Sequence, residues 1–221
     1  SYYAKGSLVA LALDLKIRSE SKGGAFSLDD VMRECWRRWG ESGEGMPEGG
    51  LEAVCSEVAG LDLRDFFDAS VRGTGELPLR KLLARFGVNY YLRRASSRED
   101  KGGKPAKKQP GPWLGASLVE QDGRSVFKVV ANGGPAERAG IAPGDVAVAL
   151  DGLALTTANC DRRLRTYRDK DRLELVVFRG DELLTMKIRL EDAPDNTCYL
   201  QLDEDADATV LGMQAAWLQA G

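Results

Sequence analysis

From Leu8 to Gly87 the apolar positions recur every three to four residues, the spacing of helices that bury one face. Leu8 to Ile17 is apolar almost all round, which predicts a helix sunk into a larger body. Ser27 ahead of Leu28-Asp29-Asp30 has a capping pattern, followed at helical spacing by Leu28, Val31, Met32, Cys35, Trp36 and Trp39, with Gly40 as a stop. Leu51, Val54, Cys55 and Val58 form a further amphipathic set ended by Gly60. Asp62 can cap a helix carrying Phe66, Phe67 and Val71, and Leu79, Leu82, Leu83 and Phe86 make a last one closed by Gly87. Short helices with such wide apolar faces imply a partner surface supplied from elsewhere.

Val88 to Leu92 switches to an extended, aromatic-rich pattern, and after Pro112 the code is mostly period two. "SVFKVVA" and "DVAVAL" read as strands, and "LELVVF" with "LLTMKIRL" as a hairpin around Gly180-Asp181. "GPAERAG" is a short helix with Pro135 in its first turn and Gly140 as its stop, and Thr157 to Tyr167 is a second, with Cys160, Leu164 and Tyr167 on one face. The expected division is therefore α + β: helices over 1–88, a strand and basic linker over 89–111, a strand-rich module over 112–202, and an acidic segment with an apolar tail helix over 203–221. "ASSREDKGGKPAKKQPG" reads as a solvated linker, since no aromatic residue interleaves with its lysines to stack bases.

Composition narrows the chemistry. The chain has 221 residues and a net charge of −3, so its bulk charge favours neither nucleic acid nor an anionic membrane as partner. The run Leu8 to Leu15 is too short to span a bilayer. Four scattered cysteines without a CxxC pair read as reduced core thiols, which favours a cytoplasmic setting. There is no histidine. A zinc hydrolase site, a Ser-His-Asp triad or a Cys-His dyad thus cannot be assembled from these residues alone.

The most specific stretch is "PWLGASL", then a strand, then "GGPAERAGIAPGDVAVALDGLAL", a helix and a hairpin. This order resembles a PDZ domain of the bacterial protease-associated type, a small β-barrel with two helices. An extended peptide would add to the edge of the strand beginning at Ala116, its backbone supplying generic affinity. The loop Leu114-Gly115-Ala116 can turn consecutive N–H groups toward a terminal carboxylate, and Gly115 permits the unusual backbone angles. Leu114, Ala116 and Leu118 share one face and would line a side-chain pocket beside the helix from Thr157. A peptide or protein C-terminus is the expected partner; the other reading is a groove filled by the protein's own loop or tail.

The chain opens "SYYAKGSLVALAL". A Tyr-x-Lys-Gly tetrad before a buried helix, followed by "LDDVMRECWRR", by the helices to Gly87 and by a PDZ module, resembles the C-terminal part of the glycyl aminopeptidase family. These are PDZ-bearing zinc peptidases of the gluzincin class, with a thermolysin-like catalytic domain. The resemblance implies that residues 1–88 are the helical end of that domain. The zinc would sit on an upstream His-Glu-x-x-His helix and a later Glu in the missing N-terminal half, so the chain by itself would be inactive. It maps the family's catalytic tyrosine onto Tyr3, with Tyr2 as the alternative register. There a phenol hydroxyl would stabilise the negative charge that builds on a peptide carbonyl oxygen during water attack. The rival expectation is a non-catalytic scaffold whose PDZ module docks peptide tails and whose Tyr3 is a packed aromatic. The regulatory arm of a PDZ-bearing serine protease fits the module but not the helical half.

Overall fold

The computed structural model describes residues 2–96, 100–105 and 112–219. The linker expected over 89–111 therefore lies partly outside the described residues. The chain divides into two compact units, Ser1–Tyr91 with Leu200–Gly221, and Leu92–Tyr199.

The first unit opens with α1 (Tyr2–Glu20), which starts well before the apolar run that predicted it. Its C-terminal half is buried through Ala12, Leu13, Leu15 and Ile17, while Leu8 remains 45% exposed, so burial is confined to one half of the helix. Asp14 and Lys16 interrupt the run at little cost because each has a partner one turn on. Arg18 Nε lies 2.8 Å from Asp14 Oδ2, and Lys16 Nζ 2.5 Å from Glu20 Oε2. Asp14 also accepts the Leu28 N–H at 2.9 Å, tying α1 to the start of α2 (Leu28–Cys35). At that start Asp30 reaches back to the Ser27 N–H at 2.9 Å and the Ser27 hydroxyl at 2.8 Å, the capping arrangement expected from the residues.

A π-helical turn, Trp36–Gly40, extends α2; α3 (Gly50–Ala59) follows. Next come α4 (Arg64–Phe67) with a second π-helical turn, Asp68–Arg72, and α5 (Leu79–Ala84). Val31, Val54, Cys55, Leu63, Leu83 and Phe86 are among the buried residues these helices share. No helix among the described residues is long and apolar enough to cross a membrane.

β1 (Val88–Arg94) leads into the second unit. That unit is an antiparallel sheet built from β2 (Ala116–Gln121), β3 (Arg124–Val130), β4 (Val146–Leu150), β5 (Leu153–Ala154), β6 (Arg172–Arg179) and β7 (Glu182–Arg189). The order is β2-β3-β4-β6-β7, with β5 on β4, so β2 and β7 are the edges. The short helices α6 (Pro135–Arg138) and α7 (Cys160–Leu164) complete it. Leu118, Phe127, Leu150, Leu175 and Ile188 lie in its core. Asp145 is 1% exposed there, accepting from Arg179 Nε and Nη2 at 2.8 Å each and from the Ala142 N–H at 2.9 Å.

A strand not expected from the sequence, β8 (Asp195–Leu202), pairs with β1 in a two-stranded sheet. The tail helix α8 (Ala208–Leu218) begins at Asp207, whose Oδ1 accepts the Val210 N–H at 2.9 Å. It packs on the first unit: Trp217 lies 5.5 Å from the Phe86 ring, and Gln214 Nε2 donates to the Phe86 carbonyl at 3.0 Å. Gly87 is left-handed at φ 62°, and a Cβ there would stand 3.0 Å from Val210.

Candidate functional site

The loop into β2 is held by its carbonyls. The Ala136 N–H donates to the Leu114 carbonyl at 2.9 Å, and the Ala131 N–H to the Gly115 carbonyl at 2.8 Å. A trans peptide plane carries C=O and N–H on opposite sides, and no peptide among the described residues is cis. The Gly115 and Ala116 N–H groups therefore point away from α6 and β3. Ala116 and Val130 form a pair flanked by that Ala131–Gly115 bond, so the Ala116 backbone faces out of the sheet edge. Gly115 adopts φ 77°, and a Cβ on it would meet Pro135 Cδ at 2.9 Å and the Gly134 Cα at 3.2 Å. Both the backbone angle and the close approach demand glycine.

Leu114, Ala116 and Leu118 come together with α7 residues Cys160 and Leu164 in one cluster. Leu114 and Leu118 are each 2% exposed, so they lie beneath the surface, and Ala116 and Leu164 are the partly open members. Contacts that the sequence pattern did not reveal anchor α7. The Thr157 N–H and hydroxyl meet the Ser125 hydroxyl at 2.8 and 3.1 Å, setting the start of the helix segment beside the far end of β2, where Ser125 pairs with Glu120. At its other end the Tyr167 hydroxyl donates to Asp151 Oδ2 at 2.7 Å. Burial, reinforced by that carboxylate, pushes the Tyr167 phenol up to about 12. Asn159 and Arg163 both donate to the Ala154 carbonyl, at 3.1 and 3.0 Å, which commits that flank of α7 to β5.

Tyr3 stands in the first turn of α1 and is 74% exposed; Tyr2 is 77% exposed, with its ring 4.2 Å away. The hydrogen bond with Tyr3, and secondarily burial, pushes the Tyr2 phenol up. Lys5 Nζ donates to the Gly73 carbonyl at 3.3 Å, so the tetrad's lysine is engaged at the end of the second π-helical turn. Tyr3 is thus placed outside the core of the first unit.

Cys35, Cys55 and Cys160 are buried thiols, and Cys198 is half-buried. Burial pushes Cys35 up, and Cys55 up to about 12, which removes them from nucleophilic chemistry near neutral pH. Among the described residues no group of three or more Cys, Asp or Glu could hold a metal ion.

Residues 112–190 match the PDZ domain family. Across 99% of its length the chain resembles the crystal structure of an aminopeptidase N family protein from Idiomarina loihiensis, with a TM-score of 0.86 and 27% identity. It spans 36% of that protein, about a third of its length. Two further structures overlap only part of the chain. An HtrA-type protease, AlgW, with a decapeptide has a TM-score of 0.35 and 21% identity, over 38% of this chain and 30% of the other. A serine endoprotease from Yersinia pestis has a TM-score of 0.34 and 18% identity, over 38% and 30%. No curated protein matches the chain. In fold the chain is therefore similar, almost end to end, to an aminopeptidase N family protein, and it carries a PDZ domain at 112–190.

Proposed function

We propose that this chain is the C-terminal part of a zinc-dependent aminopeptidase of the glycyl aminopeptidase type, joined to a PDZ domain that takes an extended peptide ending in a free carboxylate. The observation that carries this reading is the likeness to an aminopeptidase N family protein over 99% of the chain at 27% identity. The residues of this chain do not fit a zinc site: the sequence has no histidine, and the described acidic and thiol groups do not converge. The metal would be held by residues outside it, and the chain alone would be inactive. What this chain would contribute is the exposed Tyr3 hydroxyl, a donor for an oxyanion, and a groove for a second peptide. In the groove the outward Gly115 and Ala116 N–H groups would receive the carboxylate, the β2 edge would pair with the peptide backbone, and Ala116 with Leu164 would meet its side chains.

The test compares this chain with the longer protein encoded by the same reading frame, using glycyl and alanyl p-nitroanilides. The expected result is turnover by the longer protein only, lost with a chelator and restored by zinc. Turnover by the 221-residue chain supplied with zinc would contradict the proposal, as would a reading frame coding for nothing upstream of Ser1.

A further inference from the structure

A phenol can stabilise a developing charge only if its hydroxyl is held in place, and the start of α1 is poorly built for that. Residues 2–8 are all exposed, and the helix is first fully buried at Ala12, more than two turns beyond Tyr3. Gly6 lies within this exposed stretch, and a Cβ placed on it would meet nothing within 4 Å. It therefore weakens the helix without serving any close contact inside this chain. The opening N–H groups of a helix also lack intrahelical acceptors, so such an end frays readily.

One side chain ties this end to the rest of the first unit. Lys5 Nζ donates to the Gly73 carbonyl at 3.3 Å, and among the described residues no other side chain of residues 2–8 hydrogen-bonds outside α1. The acceptor is firmly presented. Gly73 follows α4 and the second π-helical turn, where the terminal carbonyls carry partial negative charge that favours an ammonium. Arg72 clamps that turn, with Nη1 and Nη2 on Glu52 at 2.6 and 3.0 Å and Nε on Asp68 at 2.6 Å. Gly73 lies so close to the turn that a Cβ would stand 2.7 Å from the Ala69 carbonyl oxygen and 3.0 Å from that of Asp68. We infer that Lys5 is a positioning residue for Tyr3: held on the Gly73 carbonyl, it anchors the first turn of α1 and so aims the Tyr3 hydroxyl. Lys5 itself does not touch the substrate. The inference rests on the aminopeptidase reading above and adds to it the contact that keeps the tyrosine in place.

The experiment is a double-mutant cycle in the longer protein, read on a glycyl p-nitroanilide. Lys5→Met should lower kcat by about tenfold with KM changed by no more than about twofold. Lys5→Arg keeps a cationic donor and should recover most of that loss. In a Tyr3→Phe background, Lys5→Met should cost no more than about twofold further, because a residue acting through Tyr3 then has nothing left to aim. Gly73→Ala displaces the acceptor from outside α1; it should show the same loss and the same dependence on Tyr3, and it stands in should Lys5→Met misfold. In the 221-residue chain, Lys5→Met should speed hydrogen exchange of the Ser7, Leu8 and Val9 amides by about threefold or more, and Lys5→Arg should not. An unchanged kcat, unchanged exchange, or a tenfold loss that persists in the Tyr3→Phe background would each overturn the inference and leave the enzymatic reading standing. Tyr3→Phe without effect on kcat would instead remove the role of Tyr3 itself, and the inference with it.

Discussion

At the scale of single residues, Gly115 carries two burdens at once, a left-handed φ of 77° and a Cβ position 2.9 Å from Pro135. Gly115→Ala should cost about 2–3 kcal/mol in urea unfolding, from backbone strain and forced displacement of the loop. It should also weaken a fluorescent peptide with a free C-terminus by about tenfold or more, a loss of about 1.4 kcal/mol. Unchanged stability would show that the loop does not need glycine. For Asp145, burial works against its charge, but the Arg179 guanidinium and the Ala142 N–H outweigh it and hold the carboxyl below its ordinary value. Asp145→Ala should cost about 2 kcal/mol, below the usual figure for a fully buried pair because Arg179 is 44% exposed on its side chain. Only the half-buried Cys198 should react quickly with a disulfide reagent in the native protein, with all four thiols reacting in denaturant. The need for glycine at 115 was legible because its neighbours matched a known loop. The Thr157–Ser125 contact was not, since 32 positions separate residues that only the fold brings together.

Among elements, the helices were read well where side chains announced their ends. Ser27 and Asp30 cap α2 as their spacing implied, and Ser27→Ala should lower stability by about 1 kcal/mol in thermal unfolding. The two π-helical turns were not legible, because a local widening of the helix leaves no fixed residue pattern. β8 was missed for another reason: its partner β1, itself recognised from Val88 to Leu92, lies about a hundred positions upstream, and β8 does not alternate cleanly enough to be recognised alone. Charge sets the pH response of these elements. Arg37 and Arg38 hold Glu34 down at about 2, the Ser27 hydroxyl leads in holding Asp30 low, and Lys16 with Arg85 overcome burial to hold Glu20 low. Folded values below the unfolded ones mean that this stability is present above about pH 4.3 and is lost as pH falls through the folded values. The melting temperature should be nearly flat from about pH 6 to 5 and fall steadily below about pH 4. A melting temperature that rose on acidification would contradict the assigned partners.

For the whole molecule, the PDZ module was legible because turn residues, a first-turn proline and the Pro-Gly-Asp run fall at spacings that backbone geometry fixes. The helical half was harder to read. Its helices have no local signature beyond amphipathicity, and their meaning came from the order in which they precede the module. The N-terminal turn of α1 shows why: an apolar helix expected to be sunk on all sides leaves Tyr2, Tyr3 and Leu8 uncovered. Within this chain the Tyr3 ring is open, as the proposed role for its hydroxyl requires. The most direct test of the account is the steady-state kinetics of Tyr3→Phe in the longer protein on a glycyl substrate. The account predicts a fall in kcat of about a hundredfold or more, with KM changed by no more than about twofold, as when a donor to a developing oxyanion is removed. A kcat within about threefold of the unaltered protein would contradict it, because a hydroxyl stabilising that charge cannot be lost so cheaply.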